Sequence, residues 1–177
     1  SKGLIIFDVE EIPTHGGSLR IFAKHSENKL LEIKESVVNL IKKEKQMKLD
    51  DYSVYSDFSQ KVKNVKNELN QFLEKAELEG KSTVCYGAPA KGNTLLNFCG
   101  IKNEQIKYTV DRSPHKQGLF LPGSHLPIKS PKAILETKPD YIIILAWNLK
   151  DEIMEQMKDV RIWGGKFVVP IPELKIY

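Results

Sequence analysis

Beyond Gly80, short runs of β-branched and apolar residues alternate with helical stretches, and this alternation constrains the fold more than any other feature of the sequence. Thr83–Tyr86, Ile106–Val110, Tyr141–Leu145 and Lys166–Val169 read as strands. Between them, Thr94–Phe98, a stretch opened by Ser130-Pro131, and a stretch near Leu149–Met157 read as helices. A helix between consecutive strands makes each connection a crossover, and near-continuous apolar strands are buried on both faces. The pattern therefore predicts an α/β domain over residues 81–177, a Rossmann-like parallel sheet flanked by helices.

Two different patterns precede it. Over residues 26–80 the period is helical. Leu30, Ile33, Val37 and Ile41 share one face, then Val54, Phe58, Val62, Val65, Leu69, Phe72 and Ala76 share a longer one, with a break near Leu49-Asp50-Asp51. Lysines interspersed with Glu32, Glu35, Glu44, Glu68 and Glu74 mark solvated faces, so this segment reads as a helical connector that Gly80 stops. Over residues 1–25, two β-rich runs at 4–9 and 18–23 flank Pro13-Thr14-His15-Gly16-Gly17, which is turn chemistry, and predict a hairpin. Two strands alone are marginally stable, so the hairpin is expected to belong to a larger sheet. Ser1-Lys2-Gly3 leads straight into the first strand without an initiator Met, which suggests a piece of a longer protein.

Composition narrows the partners. Lys and Arg exceed Asp and Glu by 27 to 23, a net charge of +4 that is too small and too mixed in sign to point to nucleic acid. No apolar run is long enough to span a bilayer, so no membrane partner is expected. Cys85 and Cys99 lack CxxC spacing and fall in core-like stretches, which predicts reduced thiols and a cytoplasmic setting.

In open α/β sheets, ligands bind beyond the carboxyl ends of the strands, which directs attention to three loops. Gly87-Ala88-Pro89-Ala90-Lys91-Gly92-Asn93-Thr94 joins a strand to a helix. Its glycines allow close backbone approach, the helix amino terminus presents free N–H groups, and Lys91 adds a full positive charge. Asn93 occupies the lysine position of a Walker A loop, and Pro89 the second glycine of a dinucleotide motif, so neither motif is present. A plain strand-to-helix turn is the alternative. Asp111 follows the next strand about 20 residues past the glycine loop, where a carboxylate meets ribose hydroxyls in Rossmann domains; a helix cap or turn role competes. It opens a long connection through Arg112-Ser113-Pro114-His115-Lys116-Gln117-Gly118 to Pro122-Gly123-Ser124-His125. His115 and His125 lack a third ligand at convincing spacing, so no metal site is predicted. In Ala146-Trp147-Asn148, Trp147 can stack on a base or cap the core, and Asn148 can meet a ligand or cap the next helix.

Taken in order, these pieces resemble the C-terminal domain of the S-adenosylmethionine-dependent sugar C-methyltransferase family, enzymes of deoxysugar biosynthesis that act on nucleotide-linked keto sugars. The resemblance is carried by Pro13-Thr14-His15-Gly16-Gly17-Ser18-Leu19-Arg20, Gly87-Ala88, Lys91-Gly92-Asn93-Thr94, Asp111, Lys116-Gln117-Gly118, Pro122-Gly123, Pro139-Asp140-Tyr141 and Ala146-Trp147-Asn148. It implies a preceding zinc-binding segment and a methyltransferase domain, whose last two strands would be the hairpin. It also implies deprotonation beside a sugar ketone and attack of the enolate on the donor methyl group. The family's glycine-rich donor motif, zinc cysteines and catalytic Glu-His pair are absent from this sequence, so the chain alone is expected to be inactive and to bind neither cofactor. For the nucleotide-linked sugar, the resemblance points to Gly87, Ala88, Lys91, Gly92, Asn93 and Thr94 at the diphosphate, and to Asp111 at a ribose or sugar hydroxyl. Lys116 is expected at a second phosphate contact, and Asn148 elsewhere on the ligand. No catalytic residue is assigned, His15 being a minor candidate that reads more simply as a turn residue; with Arg20 it could line the cleft. A scaffold or oligomerisation module that binds nothing, and an independent NAD- or coenzyme-A-binding module, are the competing readings.

Overall fold

The computed structural model describes residues 2–177; Ser1, which the expected 1–25 segment includes, lies outside them. The chain divides into two compact units, the first reaching Ser59 and the second spanning Gln60–Tyr177.

In the first unit, β1 (Leu4–Ile12) and β2 (Ser18–His25) pair antiparallel, Leu4 opposite His25 and Ile12 opposite Ser18. Helix α1 (Glu35–Gln46) packs on β1 with Val37 buried, and the carboxylate of Asp8 accepts hydrogen bonds from Lys34 Nζ at 2.5 Å and Ser36 Oγ at 2.7 Å. The helical period read over residues 26–80 does not become helix before Glu35. Instead Asn28 Oδ1 takes the Leu30 N–H at 2.9 Å, the Lys24 ammonium holds the Asn28 and Leu31 carbonyls, and Lys34 N–H bonds the Phe7 carbonyl. Those bonds draw the segment out along the hairpin. Helix α2 (Tyr52–Leu78) begins where the break was expected, with Asp51 Oδ1 accepting the Ser53 N–H at 2.9 Å, and from Gln60 it belongs to the second unit.

The second unit carries the expected α/β fold, a mainly parallel sheet flanked by helices, and also takes in α2 from Gln60. Its strands are β3 (Thr83–Tyr86), β4 (Thr109–Val110), β5 (Ile128–Lys129), β6 (Tyr141–Ile144), β7 (Lys166–Val169) and β8 (Lys175–Ile176). Helices α3 (Ala90–Cys99), α4 (Lys132–Thr137) and α5 (Lys150–Gln156) connect them. The sheet order is β5-β4-β3-β6-β7-β8, parallel throughout except for the antiparallel β8. Counted from β3, that is the 3-2-1-4-5-6 order of a doubly wound sheet.

Alternation along the strands fills both faces. Cys85, Ile143, Leu145 and Val168 point to one side, against Leu69 and Leu73 of α2 and Leu95 and Leu96 of α3. Val84, Tyr86, Ile142, Ile144, Phe167 and Val169 point to the other, against Ala133 and Ile134 of α4 and Ile153 of α5. Both cysteines are buried and unpaired.

Two strands were not anticipated. β5 and β8 have two residues each, too few for any period to register. β5 arises because the long connection after β4 folds back on it: Gly118 N–H bonds the Ile128 carbonyl and Ile128 N–H the Leu119 carbonyl, which covers that edge of the sheet.

Asp140, just before β6, ties the entry of that strand to the entry of β3. Its carboxylate accepts from Ser82 N–H and Ser82 Oγ, both at 2.9 Å, and from Lys81 Nζ at 3.0 Å. The Ser82 N–H foremost, helped by Lys81, holds this carboxyl below the ordinary aspartate range. A depressed folded-state pKa stabilises the fold above the unfolded value of about 3.9, and that contribution is lost as the pH falls through the folded value. Asp140→Asn is therefore expected to cost about 1 kcal/mol at neutral pH, discounted for partial exposure, with the gap to wild type closing below about pH 4. Urea titrations at pH 7 and pH 3 measure it; an unchanged gap at pH 3 would contradict the ionic origin.

Candidate functional site

After β3 the chain crosses toward β4 and β5, and after β6 it crosses the other way toward β7. The loops leaving β3 and β6 therefore part in opposite directions and open a crevice above the carboxyl ends of these two strands. All three loops singled out in the sequence meet there.

The chain turns out of β3 at Gly87, whose φ of 97° lies in the region that favours glycine. A Cβ at this position would stand 3.5 Å from the Cβ of Ala146, the first residue of the loop after β6 apart from Leu145. Pro89 is extended and precedes α3 without a side-chain cap, and its carbonyl accepts the Asn93 N–H at 3.0 Å. The N–H groups of Ala90, Lys91 and Gly92 lie in the first helical turn and have no acceptor within the helix. Gly92 is buried, and a Cβ there would come within 2.6 Å of Leu145 Cβ. It is the residue that lets α3 lie close on β6, the role of the third glycine in a dinucleotide fingerprint. Asn93 Oδ1, one position further, is buried without a hydrogen-bond partner among the described residues, and Thr94 Oγ1 donates to the Ala90 carbonyl at 3.1 Å.

Lys91 spans the crevice. Its ammonium lies 4.4 Å from the centre of the Trp147 ring and donates to Asn148 Oδ1, so one side chain joins the loop after β3 to the loop after β6. Burial pushes its pKa below that of an ordinary lysine. Asn148 faces this lysine and does not cap α5, whose N-cap is Leu149. Trp147 is half-buried against both halves of the core.

Asp111 braces the loops. Oδ2 accepts the Ala88 N–H at 2.8 Å and lies 3.4 Å from Lys116 Nζ, while Oδ1 accepts the Ser113 N–H at 2.9 Å. Lys116 also donates to the Ala88 carbonyl at 3.0 Å, and the Gln117 amide donates to the Asp111 carbonyl at 2.9 Å. The carboxylate serves as a turn residue and as a strut under the glycine loop at once. Its side chain keeps 15% of its surface open, and two oxygens offering about four lone-pair sites leave capacity for a further donor.

His15 lies in the exposed turn of the hairpin, at φ 58°, within the first unit. His125 is exposed in the loop before β5. Among the described residues, no group of three His, Cys, Asp or Glu side chains could hold a metal ion, and no helix is long and apolar enough to cross a membrane. The structure adds a cavity of about 190 Å³ on the α5 side of the crevice, bounded by Tyr86, Arg112, Leu149, Glu152, Ile153 and Gln156 beside Gly87 and Asp111. A polar pair at i and i+4, Glu152 and Gln156 on the helix after β6, was the sequence signal for it.

The order of the strands and the crevice above β3 and β6 define a doubly wound α/β domain of Rossmann type. The chain belongs to the C-methyltransferase C-terminal domain family, whose profile matches residues 13–172. It is 34% identical over 176 residues to the C-methyltransferase NovU of Streptomyces niveus, covering 99% of this chain and 42% of that protein. This chain therefore spans less than half the length of that relative. Among solved structures, UDP-D-quinovosamine 4-dehydrogenase from Vibrio fischeri is similar at a TM-score of 0.40 and 16% identity, over 55% of this chain and 93% of that one.

Proposed function

We propose that the second unit holds the nucleotide-linked keto sugar for an S-adenosylmethionine-dependent C-methyltransferase of which this chain is the C-terminal part. The observation that carries the reading is Lys91: an ammonium held against Trp147 and Asn148 beside the open amino terminus of α3, at the switch point of the sheet. A diphosphate is the ligand group that such a site suits, because free N–H groups, the helix dipole and a full positive charge converge on it. Asn148, now the partner of Lys91, is freed for the ligand when phosphate takes its place. Asp111 offers its remaining lone pairs to a sugar or ribose hydroxyl, and Lys116 holds the loop that presents them.

In this reading the methyl donor and zinc belong to the preceding part of the protein, as the resemblance to the sugar C-methyltransferase family implies. When bound there, S-adenosylmethionine supplies the methyl group. The groups in this crevice bind and orient: two lysines, an asparagine, and an aspartate already accepting from Ala88, Ser113 and Lys116. The acid and base of the reaction are expected on the preceding domain. Two buried, unpaired thiols suit a reducing cytoplasm.

The test is methyl transfer from S-adenosylmethionine to a nucleotide-linked keto sugar, assayed with the complete enzyme and with the 177-residue chain. The complete enzyme should turn over, and the chain alone should bind the nucleotide sugar without transferring a methyl group. Transfer by the isolated chain, or failure of both proteins to bind any nucleotide sugar, would sink the proposal.

A further inference from the structure

We infer that the cavity on the α5 side of the crevice is the subsite for the nucleoside, which sets the direction in which the ligand lies; the inference rests on the reading just proposed. A cavity of about 190 Å³ falls below the roughly 300–1,000 Å³ that enclose whole small-molecule ligands, so it takes one end of the ligand only.

The lining selects which end. Leu149 and the buried Ile153 give it an apolar side. Beside these side chains runs a polar wall: Arg112 Nη1 lies 3.4 Å from Glu152 Oε1, Gln156 Nε2 donates to the same oxygen at 2.6 Å, and Tyr86 Oη stands 3.5 Å from Gln156 Oε1. A base has flat apolar faces and a polar edge, which this wall and floor complement. Arg112 is exposed and, among the described residues, its side chain is tied by one long contact to Glu152, so its planar guanidinium can lie over a bound ring.

The neighbourhood agrees. Asp111, placed as the ribose-binding carboxylate of doubly wound folds, lines the same cavity. Gly87 and Ala146, which line the cavity, belong to the loops that carry Lys91 and Asn148, and both are small, with a Cβ on Gly87 already reaching Ala146. A diphosphate crossing this low point reaches Lys91 and α3, and the keto sugar extends onward past Trp147 and Asn148.

Calorimetric titration of the 177-residue chain with uridine, thymidine, adenosine, guanosine and cytidine diphosphates and with inorganic pyrophosphate tests the assignment. The tightest nucleoside diphosphate should bind about tenfold or more better than pyrophosphate. Arg112→Ala and Leu149→Trp, both at exposed positions, should erase that advantage while leaving pyrophosphate affinity unchanged. Equal wild-type affinities for the two ligand types would overturn the inference. So would nucleoside diphosphate binding that both variants leave intact, or weaken in step with pyrophosphate. If pyrophosphate binding depends on Lys91 while Arg112→Ala and Leu149→Trp change nothing, the nucleoside assignment alone fails. If neither ligand type binds, the proposed function falls as well.

Discussion

Lys91→Ala is expected to weaken binding of a nucleotide sugar by about 100-fold, a loss of roughly 2.7 kcal/mol. The size follows from what the ammonium loses and gains. It is partly desolvated against Trp147 and Asn148, which lowers the desolvation cost of meeting a phosphate. A hydrogen bond to a charged group contributes about 1.5–3 kcal/mol, and the open end of α3 adds to the same field. Lys91→Met separates charge from packing, since its stem still covers Trp147; it should bind as poorly as the alanine variant. The pH dependence has a definite sign. The charged lysine is the binding form, and burial lowers its pKa, so affinity should fall on the alkaline side sooner than for an ordinary lysine. Fluorescence or calorimetric titrations from pH 7 to pH 10 measure this, and a flat profile with intact affinity in Lys91→Ala would remove the lysine from the site.

Gly92→Ala is expected to destabilise the second unit by about 2 kcal/mol, and Gly92→Val by more. Two effects oppose each other here. Alanine inside a helix gains about 1 kcal/mol over glycine from propensity. Against this, the new Cβ meets Leu145 Cβ at 2.6 Å, and Leu145 is fully buried in the core, so neither the helix nor the strand can yield without disturbing the sheet. Overpacking of a filled core costs about 1–3 kcal/mol, and a contact this short belongs at or beyond the upper end, so the clash prevails. Urea denaturation of the two variants measures the cost. An alanine variant as stable as wild type would mean that α3 and β6 are not in such close contact.

How much of this was legible in the sequence depended on burial. The bounds of β3 and β7 were readable to the residue, because a strand buried on both faces forms a nearly continuous apolar run, broken in β7 only by the exposed Lys166 at its start. The start of α1 was misread because Leu30 and Ile33 fit the helical period, yet they are 93% and 53% exposed, and a period carries information only where the face it marks is buried. β5 and β8 follow from tertiary pairing of two-residue segments, which local pattern cannot encode.

The site divides in the same way. The three loops could be named because each follows a strand, and topology places strand ends together. The tasks of their residues depend on partners far along the chain. Asp111 supports Ala88 from 23 positions away, and Lys91 reaches Asn148 across 57. No spacing rule announces either contact. Gly92 was read as part of a phosphate loop, while its contact with Leu145 gives it a packing role that only the approach of α3 to β6 makes visible.

The central claim, that the crevice above β3 and β6 holds a nucleotide-linked sugar, is tested most directly by following the backbone amide resonances of the chain during titration with nucleoside-diphosphate sugars. Saturable shifts should concentrate at Gly87–Asn93, Asp111–Ser113 and Ala146–Glu152 and be absent in Lys91→Ala at the same concentrations. Saturable shifts confined to other parts of the chain, or none with any nucleotide sugar, would contradict it.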